Sequence, residues 1–310
     1  MIESSFTYHP EPEITIFVRK WMPDSINPKN LKGIIQIVHG MTEHGGRYAP
    51  TAEFLTKNGF IIYADDHRGY YRTAGSVEKL GKWKAGWWRK IVQDLHELTL
   101  IIKKEYPNKP IFLLGHSMGS FLAQDYAQEY GNELNGLILS GTNGRKATIW
   151  LGQWLSNRFI KKYGENAEGI EMKKITMKNI NKKFQPIKTE FDWLSRDEKI
   201  CKEFEESEWT GFVPSYRFFA EMLSGLKKIW NPSNEKKIPK TLPVYIFVGT
   251  MDPVGNYTKG ILPLIQRYKK YGLNVEFRFY DSGRHEMLNE TNKEEVRTDL
   301  LNWIEKRLNN

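Results

Sequence analysis

Residues 111–120 read Ile-Phe-Leu-Leu-Gly-His-Ser-Met-Gly-Ser, an apolar run that leads straight into Gly-x-Ser-x-Gly. The next seven residues, Phe121–Ala127, have the apolar spacing of a helix. A strand, a sharp turn at a serine and a helix together form a nucleophile elbow, in which the central residue has a strained backbone. Gly115 and Gly119 relieve the crowding on either side of the turn. This stretch therefore predicts that Ser117 presents an exposed hydroxyl above a sheet.

A nucleophilic serine needs a base, and on this kind of elbow the chain order is serine, acid, histidine. Six of the seven histidines precede Ser117, and only His285 follows it. His285 comes just after the predicted strand 274–280, and loops at the carboxyl ends of strands are where a parallel sheet presents catalytic groups. The sequence predicts His285 as the base, with a surface loop histidine as the alternative.

The acid that orients the base is less constrained, because many carboxylates lie between Ser117 and His285. Asp252 follows the apolar run 244–248 in a turn rich in glycine and proline. Asp281 is the competing candidate, but it is only four residues from His285 and belongs to the same loop. Asp252 is therefore the preferred prediction, and a purely turn-forming aspartate is the alternative.

Two backbone N–H groups are needed to bind the oxyanion of a tetrahedral intermediate. One comes from Met118, the residue after the serine, and the other from a loop that follows an early strand. Residues 33–38 read as that strand. Gly40 lets the backbone approach the substrate, so we predict the N–H of Met41 as the second donor. His116, within the elbow, is assigned to its support.

Composition and the remaining motifs exclude several classes of protein. His39 and His44 lack a carboxylate or thiolate at ligand spacing, so we expect them to brace a loop, and we predict no metal and no cofactor. The pI is about 9.3, but no basic motif interleaved with aromatics indicates nucleic-acid binding. The single Cys201 excludes an internal disulfide. With neither a signal-peptide pattern nor a membrane-spanning run, we expect a cytoplasmic protein.

Strands and helices alternate along the chain. An edge strand is predicted at Ile14–Trp21. Buried strands are predicted at 34–38, 60–64, 111–114, 136–140, 244–248 and 274–280, and helices at 47–58, 87–106, 118–130, 257–271 and 292–308. Short apolar strands separated by amphipathic helices predict an α/β fold, with a mostly parallel sheet covered by helices on both faces.

About a hundred residues separate the strand that ends near Ser140 from the one that starts near Val244, far more than a crossover helix needs. The excess predicts a helical cap at 143–228, inserted into a core made of 1–142 and 229–310. The last cap helix, Ser215–Trp230, leads back into the core.

The cap also carries most of the net charge. Residues 145–183 contain ten Lys or Arg and three Glu, against a formal charge of +9 for the whole chain. Apolar residues recur there at helical spacing, namely Ile149-Trp150-Leu151, Trp154-Leu155 and Phe159-Ile160. This helix resembles one that rests on an anionic membrane surface. Alternatively, its aromatics line the inside of the cap while the lysines are solvated, and both can hold if the groove admits an acyl chain.

Taken together, the motifs resemble the monoacylglycerol lipase and lysophospholipase branch of the α/β-hydrolases, a group also called serine aminopeptidases. The matching segments are His39–His44 with Arg47-Tyr48, Asp66–Gly69, Gly115–Gly119, Asp252–Val254, and Gly283–Glu286 with Leu288–Glu290. The resemblance implies an α/β-hydrolase fold, a triad of Ser117, Asp252 and His285, and oxyanion donors at Met41 and Met118. It also implies hydrolysis of a monoacylglycerol or lysophospholipid ester through an acyl-enzyme.

One segment departs from the family pattern, and two other functions stay open. Where the family continues with His-Gly, this chain has Tyr70-Tyr71, so we expect a differently turned loop or an exposed aromatic surface. The cap segment Phe191–Asp197 resembles one seen in bacterial members, which suggests a bacterial source. A peptidase of the same fold is an alternative, although a positive cap would repel an α-amino group. A non-catalytic binding protein on the same scaffold is the other.

Overall fold

The computed structural model of the chain describes residues 1–25 and 31–308. Within these ranges, eight strands form one sheet in the order β1-β2-β4-β3-β5-β6-β7-β8. The strands are β1 Ile2–Glu11, β2 Ile14–Met22, β3 Gly33–Val38, β4 Phe60–Asp65, β5 Ile111–His116, β6 Gly136–Ser140, β7 Val244–Gly249 and β8 Val275–Tyr280. The pairs β1–β2 and β2–β4 are antiparallel, and all other pairs are parallel.

Helices cover both faces of this sheet. They are α1 Ala49–Lys57, α2 Tyr71–Ala74, α3 Trp87–Glu105, α4 Met118–Tyr130, α5 Ile149–Tyr163, α6 Ile170–Thr176, α7 Glu198–Glu206, α8 Tyr216–Ile229, α9 Pro232–Glu235, α10 Leu262–Lys270 and α11 Lys293–Leu308. Ile111 and Leu113 of β5 pack on one face with α3, α4, α8 and α10, whereas Phe112 and Leu114 pack on the other with α1 and α11. Side chains alternate along a strand, so a strand covered on both faces reads as continuously apolar.

The N-terminal edge of the sheet differs from the prediction. Ile14–Trp21 was expected to be an edge strand, but β2 lies between β1 and β4. β1 is the edge, and it is mostly exposed and polar. Backbone pairing with β2 holds it in the sheet, and that kind of pairing leaves no run of apolar residues in the sequence.

Most other predicted elements agree to within a few residues. The helix predicted at 47–58 starts as a 3-10 turn, Gly45–Tyr48, before α1. The helix predicted at 257–271 starts only at Leu262. Residues 256–258 all have positive φ, a conformation that a right-handed helix excludes.

Helices α5 to α9 lie in the segment between β6 and β7. The last helix of the predicted cap, α8, contacts α3, α4 and α5. A separate apolar cluster joins Phe184, Trp193, Leu194, Cys201 and Phe204 to core residues Met251 and Val254. We propose to keep 143–228 as the cap and the remainder as the core. In the described residues, no helix combines the length and the hydropathy that crossing a bilayer requires.

Candidate active site

Ser117 lies in the turn between β5 and α4, with φ 51° and ψ −120°. This strained conformation costs of order 1–3 kcal/mol, and tight local packing maintains it. A Cβ on Gly115 would lie 2.4 Å from the carbonyl oxygen of Gly119, and a Cβ on Gly119 would lie 2.0 Å from that of Val38. The Ser117 N–H donates to the Ser140 carbonyl at 2.9 Å. Only glycine fits the two flanking positions, so the elbow is fixed by its neighbours.

His285 and Asp252 meet at the carboxyl end of the sheet, on the loops after β8 and β7. The imidazole Nδ1 and a carboxylate oxygen of Asp252 are 3.0 Å apart, and both residues are buried. The other Asp252 oxygen accepts the Val254 N–H at 2.8 Å. Because a carboxylate can only accept, Nδ1 carries the proton and Nε2 is the free acceptor.

His285 lines the same cavity as Ser117, and its free acceptor is Nε2. Nε2 is buried and has no hydrogen-bond partner among residues 1–25 and 31–308. Catalytic hydrogen bonds are often long before substrate binds and tighten in the complex. Asp281, the competing acid, is exposed and bonded instead to Thr250 and Ser282. The geometry therefore joins Asp252, not Asp281, to the histidine.

The electrostatics of His285 suit a base near neutral pH. Burial is the largest influence and lowers its pKa, but the charge and hydrogen bond of Asp252, helped by Glu286 and Glu43, outweigh it and raise the pKa. The ring of His116 lies 4.8 Å away. Burial and the charge of His285 lower the pKa of His116 to about 3, so this second imidazole stays neutral.

The predicted oxyanion donors lie beside the serine. A Cβ on Gly40 would lie 3.2 Å from that of Ser117, which confines the loop to glycine at its closest approach. The Gly40 N–H donates to the Glu43 carboxylate at 2.5 Å. Met118 starts α4, where the N–H has no partner within the helix, and no hydrogen bond in the described residues uses the N–H of Met41 or Met118. Both amides therefore keep their capacity to donate a hydrogen bond.

The two histidines of the oxyanion loop contact neighbouring backbone and rings. His39 donates from Nδ1 to the Gly40 carbonyl at 2.8 Å, accepts the His67 N–H at Nε2 and stacks on the His67 ring at 3.7 Å. His44 accepts the Gly46 N–H at 3.1 Å. Across the described ranges, no cluster of three or more His, Cys, Asp or Glu has a metal-site arrangement.

A buried charge cluster beneath the site had no role in the sequence prediction. Arg47 donates to Glu43 at 2.7 Å and to both carboxylate oxygens of Glu286 at 2.7 and 2.8 Å. Burial alone would raise the pKa of Glu286, but the Arg47 guanidinium outweighs it and lowers the pKa to about 2. The cluster ties the loop of Gly40 to the loop of His285. Its sequence signal is that Glu43, Arg47 and Glu286 all lie in segments that resemble the family.

Tyr70 and Tyr71, which stand where the family has His-Gly, make mostly buried contacts. Tyr70 is fully buried, with its ring 4.9 Å from that of His39 and its hydroxyl 3.7 Å from the Met118 sulfur. Tyr71, at φ 33°, stacks on His44 at 4.2 Å. Neither tyrosine lines the cavity, so the substitution changes the packing beneath the oxyanion loop.

A cavity of about 850 Å³ opens above Ser117, between the core and the cap. Its apolar wall comes from Met41, Ile180, Trp193, Leu194, Phe204, Phe212 and Phe219, and lysines 173, 174 and 182 also line it. No residue of α5 lines this cavity. The alternative that the α5 aromatics line the inside of the cap holds for Phe159, which packs against Tyr216 of α8, but not for Trp150 and Trp154. Leu155 and Phe159 pack on the main apolar cluster, while Trp150 and Trp154 are 65% and 54% exposed.

A mostly parallel sheet with a Gly-x-Ser-x-Gly elbow after its central strand, and an aspartate and a histidine on later loops of the same edge, defines an α/β-hydrolase. Residues 29–292 match the Hydrolase_4 family model, described as serine aminopeptidase, S33. The chain belongs to this family. The predictions of family and fold class are confirmed.

Several proteins similar to this chain have the names of ester hydrolases. A monoglyceride lipase homolog of Monkeypox virus is 25% identical over 296 residues, covering 93% of this chain and 94% of that protein. A monoacylglycerol lipase of Mycolicibacterium smegmatis is 25% identical over 290 residues, covering 92% and 90%. The crystal structure of a thermostable carboxyl esterase from Bacillus coagulans in complex with glycerol superimposes with a TM-score of 0.91 at 27% identity, over 99% of both chains. These likenesses support a hydrolase that acts on esters.

Proposed function

We propose that this protein is a serine carboxylic-ester hydrolase that cleaves a lipid monoester, a monoacylglycerol or a lysophospholipid, through an acyl-enzyme. The observation that carries the proposal is the free Nε2 of His285, backed by Asp252, in the same apolar cavity as Ser117. The names of the relatives and the glycerol in the esterase structure support a glycerol-type ester.

In the proposed reaction, Ser117 Oγ attacks the ester carbonyl carbon while His285 Nε2 takes the hydroxyl proton. Asp252 holds the imidazole by Nδ1 and stabilises its charged form. The N–H groups of Met41 and Met118 donate to the oxyanion, a contribution of about 10²–10³ in rate for each donor. The imidazolium then protonates the leaving alkoxide, and water repeats the sequence on the acyl-enzyme to release the acid.

A fluorophosphonate probe tests the chemistry directly, because it is captured only by an activated serine. We expect it to label the wild type and Ser233→Ala, an exposed control serine, but not Ser117→Ala. Labelling that persists in Ser117→Ala contradicts the assignment of the nucleophile. An unlabelled wild type that still folds would favour the non-catalytic binding protein.

Substrate class is tested by parallel assays on monoacylglycerols, lysophospholipids, p-nitrophenyl esters and aminoacyl p-nitroanilides. We expect hydrolysis of the esters with negligible cleavage of the anilides. The family description keeps a peptidase as the alternative, and Glu168 and Glu190 do line the cavity. Glu190 is paired with Lys173 at 3.2 Å, which weakens it as a partner for a substrate amine. Preferential anilide cleavage would overturn the ester proposal.

We also propose that the protein is cytoplasmic and that the cap contacts an anionic membrane surface through α5. Trp150 and Trp154 project from this helix, and Arg158, Lys161 and Lys162 follow on it. Aromatic anchors beside basic residues bind anionic interfaces.

Co-sedimentation with phosphatidylglycerol vesicles at low salt tests this contact. We expect Trp150→Ser/Trp154→Ser to weaken binding and Leu262→Ser, a change at an exposed apolar residue of the core, to leave it intact. No preference of the wild type for anionic over neutral vesicles would exclude the contact.

A further inference from the structure

A short segment of the cap is hydrogen-bonded to the loop that carries His285. We call residues 192–197 the strap. The His285 N–H donates to the Trp193 carbonyl at 3.3 Å, and the Glu286 N–H donates to the Leu194 carbonyl at 2.7 Å. Two consecutive backbone bonds fix the strap in register with the histidine loop, in the manner of a short extra strand.

Side chains anchor the strap along its whole length. Arg284 donates to the carbonyls of Asp192 and Ser195, and its guanidinium lies over the Phe184 ring at 4.3 Å. Further contacts are Ser195 Oγ to the Asn289 carbonyl at 3.0 Å, Arg196 to Glu290 at 2.9 Å and Lys293 to Asp197 at 3.3 Å. These contacts therefore hold the strap to the core more firmly than the two backbone hydrogen bonds alone would.

The Trp193 side chain covers the imidazole. Its ring centroid lies 4.9 Å from that of His285, with the two planes at 38°. The backbone N–H of Trp193 donates to the side-chain oxygen of Asn181 at 2.9 Å, and the residue is 8% exposed. Both residues line the cavity, so the indole covers one side of the imidazole where the histidine borders the cavity.

We propose that Trp193 is a positioning residue, whose carbonyl and indole hold the His285 ring in place and keep water from it, so that Nε2 stays directed at Ser117. The inference rests on the proposed function, because it gives His285 the role of base. It goes further by giving Trp193, a residue of the cap, a role in positioning the catalytic histidine of the core.

The expected signature is a change in pH dependence. The titratable groups that face His285 are Asp252 and the neighbouring Lys146, Glu286 on its own loop, Glu43 from the oxyanion loop and His116 from the end of β5. None of them is altered by a change at Trp193. Replacing the indole with a smaller side chain admits water, and relief of burial raises the pKa of a histidine. Because the base must be neutral, the acidic limb of kcat/KM then moves to higher pH.

The experiment measures kcat/KM for p-nitrophenyl butanoate between about pH 5 and about pH 9. The variants are Trp193→Leu, Trp193→Phe and a control, Trp209→Leu. Trp209 belongs to the same cap but lies against Tyr71, with ring centroids 4.9 Å apart, and does not line the cavity. The rate of fluorophosphonate labelling is measured over the same range, since it depends on the same base without needing an acyl pocket.

We expect the acidic limb of Trp193→Leu to move up by about one pH unit, so that activity falls roughly tenfold below the limb and recovers above it. Trp193→Phe, which keeps an aromatic face, should move the limb less, and Trp209→Leu should not move it. A uniform loss at every pH, with the limb unmoved, would mean a merely structural role and overturn the proposal.

Should Trp193→Leu not fold, Trp193→Phe decides the matter by the same criterion. Retention of full activity in His285→Ala would refute the proposed function itself. An active wild type, an inactive His285→Ala and an unmoved limb in both Trp193 variants would refute only the inference about the strap.

Discussion

Replacing Arg47 with methionine is expected to destabilise the protein strongly, and more so as the pH rises. Its side chain is 13% exposed and those of Glu43 and Glu286 are 4% exposed, so the change leaves two carboxylates with little access to water. Each pair is worth about 4 kcal/mol at 4 Å with an effective dielectric constant near 20. Breaking such a pair by removing one partner costs about 3–5 kcal/mol. We expect this loss at neutral pH.

The free energy of unfolding depends on pH because folding changes the pKa values of these carboxyls. In the wild type, the pKa of Glu286 is lowered to about 2, so its contribution is complete above the ordinary carboxyl pKa and is lost as the pH falls toward 2. In Arg47→Met, both carboxyls are buried without a counter-charge, so the pKa of Glu286 rises above the ordinary range and that of Glu43, which burial already raises in the wild type, rises further. The variant then loses further stability as the pH rises through those raised values.

Thermal unfolding at about pH 5 and about pH 8 measures this difference. The gap in Tm between wild type and Arg47→Met should be wider at the higher pH. Replacing Glu43 and Glu286 with glutamine in the same variant should restore most of the loss. Arg217→Met is the matched control, because its pair with Glu165 is exposed and worth at most about 1 kcal/mol. An equal gap at both pH values would refute the electrostatic reasoning.

Three further outcomes are expected. Asp252→Asn should lower kcat by about 10⁴ in ester assays, while Asp281→Asn leaves it unchanged; a similar loss in both would contradict the assignment of the acid. Tyr70→Phe should lower kcat severalfold with KM nearly constant, because the hydroxyl touches the Met118 sulfur; an unchanged kcat would remove Tyr70 from the support of the oxyanion loop. The acidic limb of wild-type kcat/KM should lie above the ordinary histidine pKa of about 6.5, since the pKa of His285 is raised; a limb below that value would argue against a charge on Asp252.

The elbow could be predicted because its determinants are local. The glycines at 115 and 119, the apolar strand before them and the helix after them all lie within about one supersecondary unit. The strands of the parallel sheet were equally visible, since burial on both faces makes each one continuously apolar. β1 could not be predicted in this way, because it is an exposed edge strand specified mainly by its backbone pairing with β2.

The supports of the site could not be predicted, because their partners are far apart in the chain. Arg47 and Glu286 are separated by 239 residues, and Arg284 reaches Ser195 across 89. A charged residue has many possible partners at such separations, and one sequence does not choose among them. The cap boundaries, the bacterial source and the membrane contact stay predictions.

The position of His285 raises a geometric problem that the topology alone does not solve. β8 is three strands away from β5 in the sheet, which is about 14 Å at the usual spacing of neighbouring strands. The histidine loop must therefore lean back over β7 and β6 to bring the imidazole beside Ser117. The loop after β6 permits this because Gly141 occupies the crossing point, with φ +56° and a position where a Cβ would lie 2.9 Å from the His285 ring. Any side chain at Gly141 would clash with the imidazole of His285, so this glycine belongs to the site as much as the residues of the elbow do, although it lies in none of the motifs.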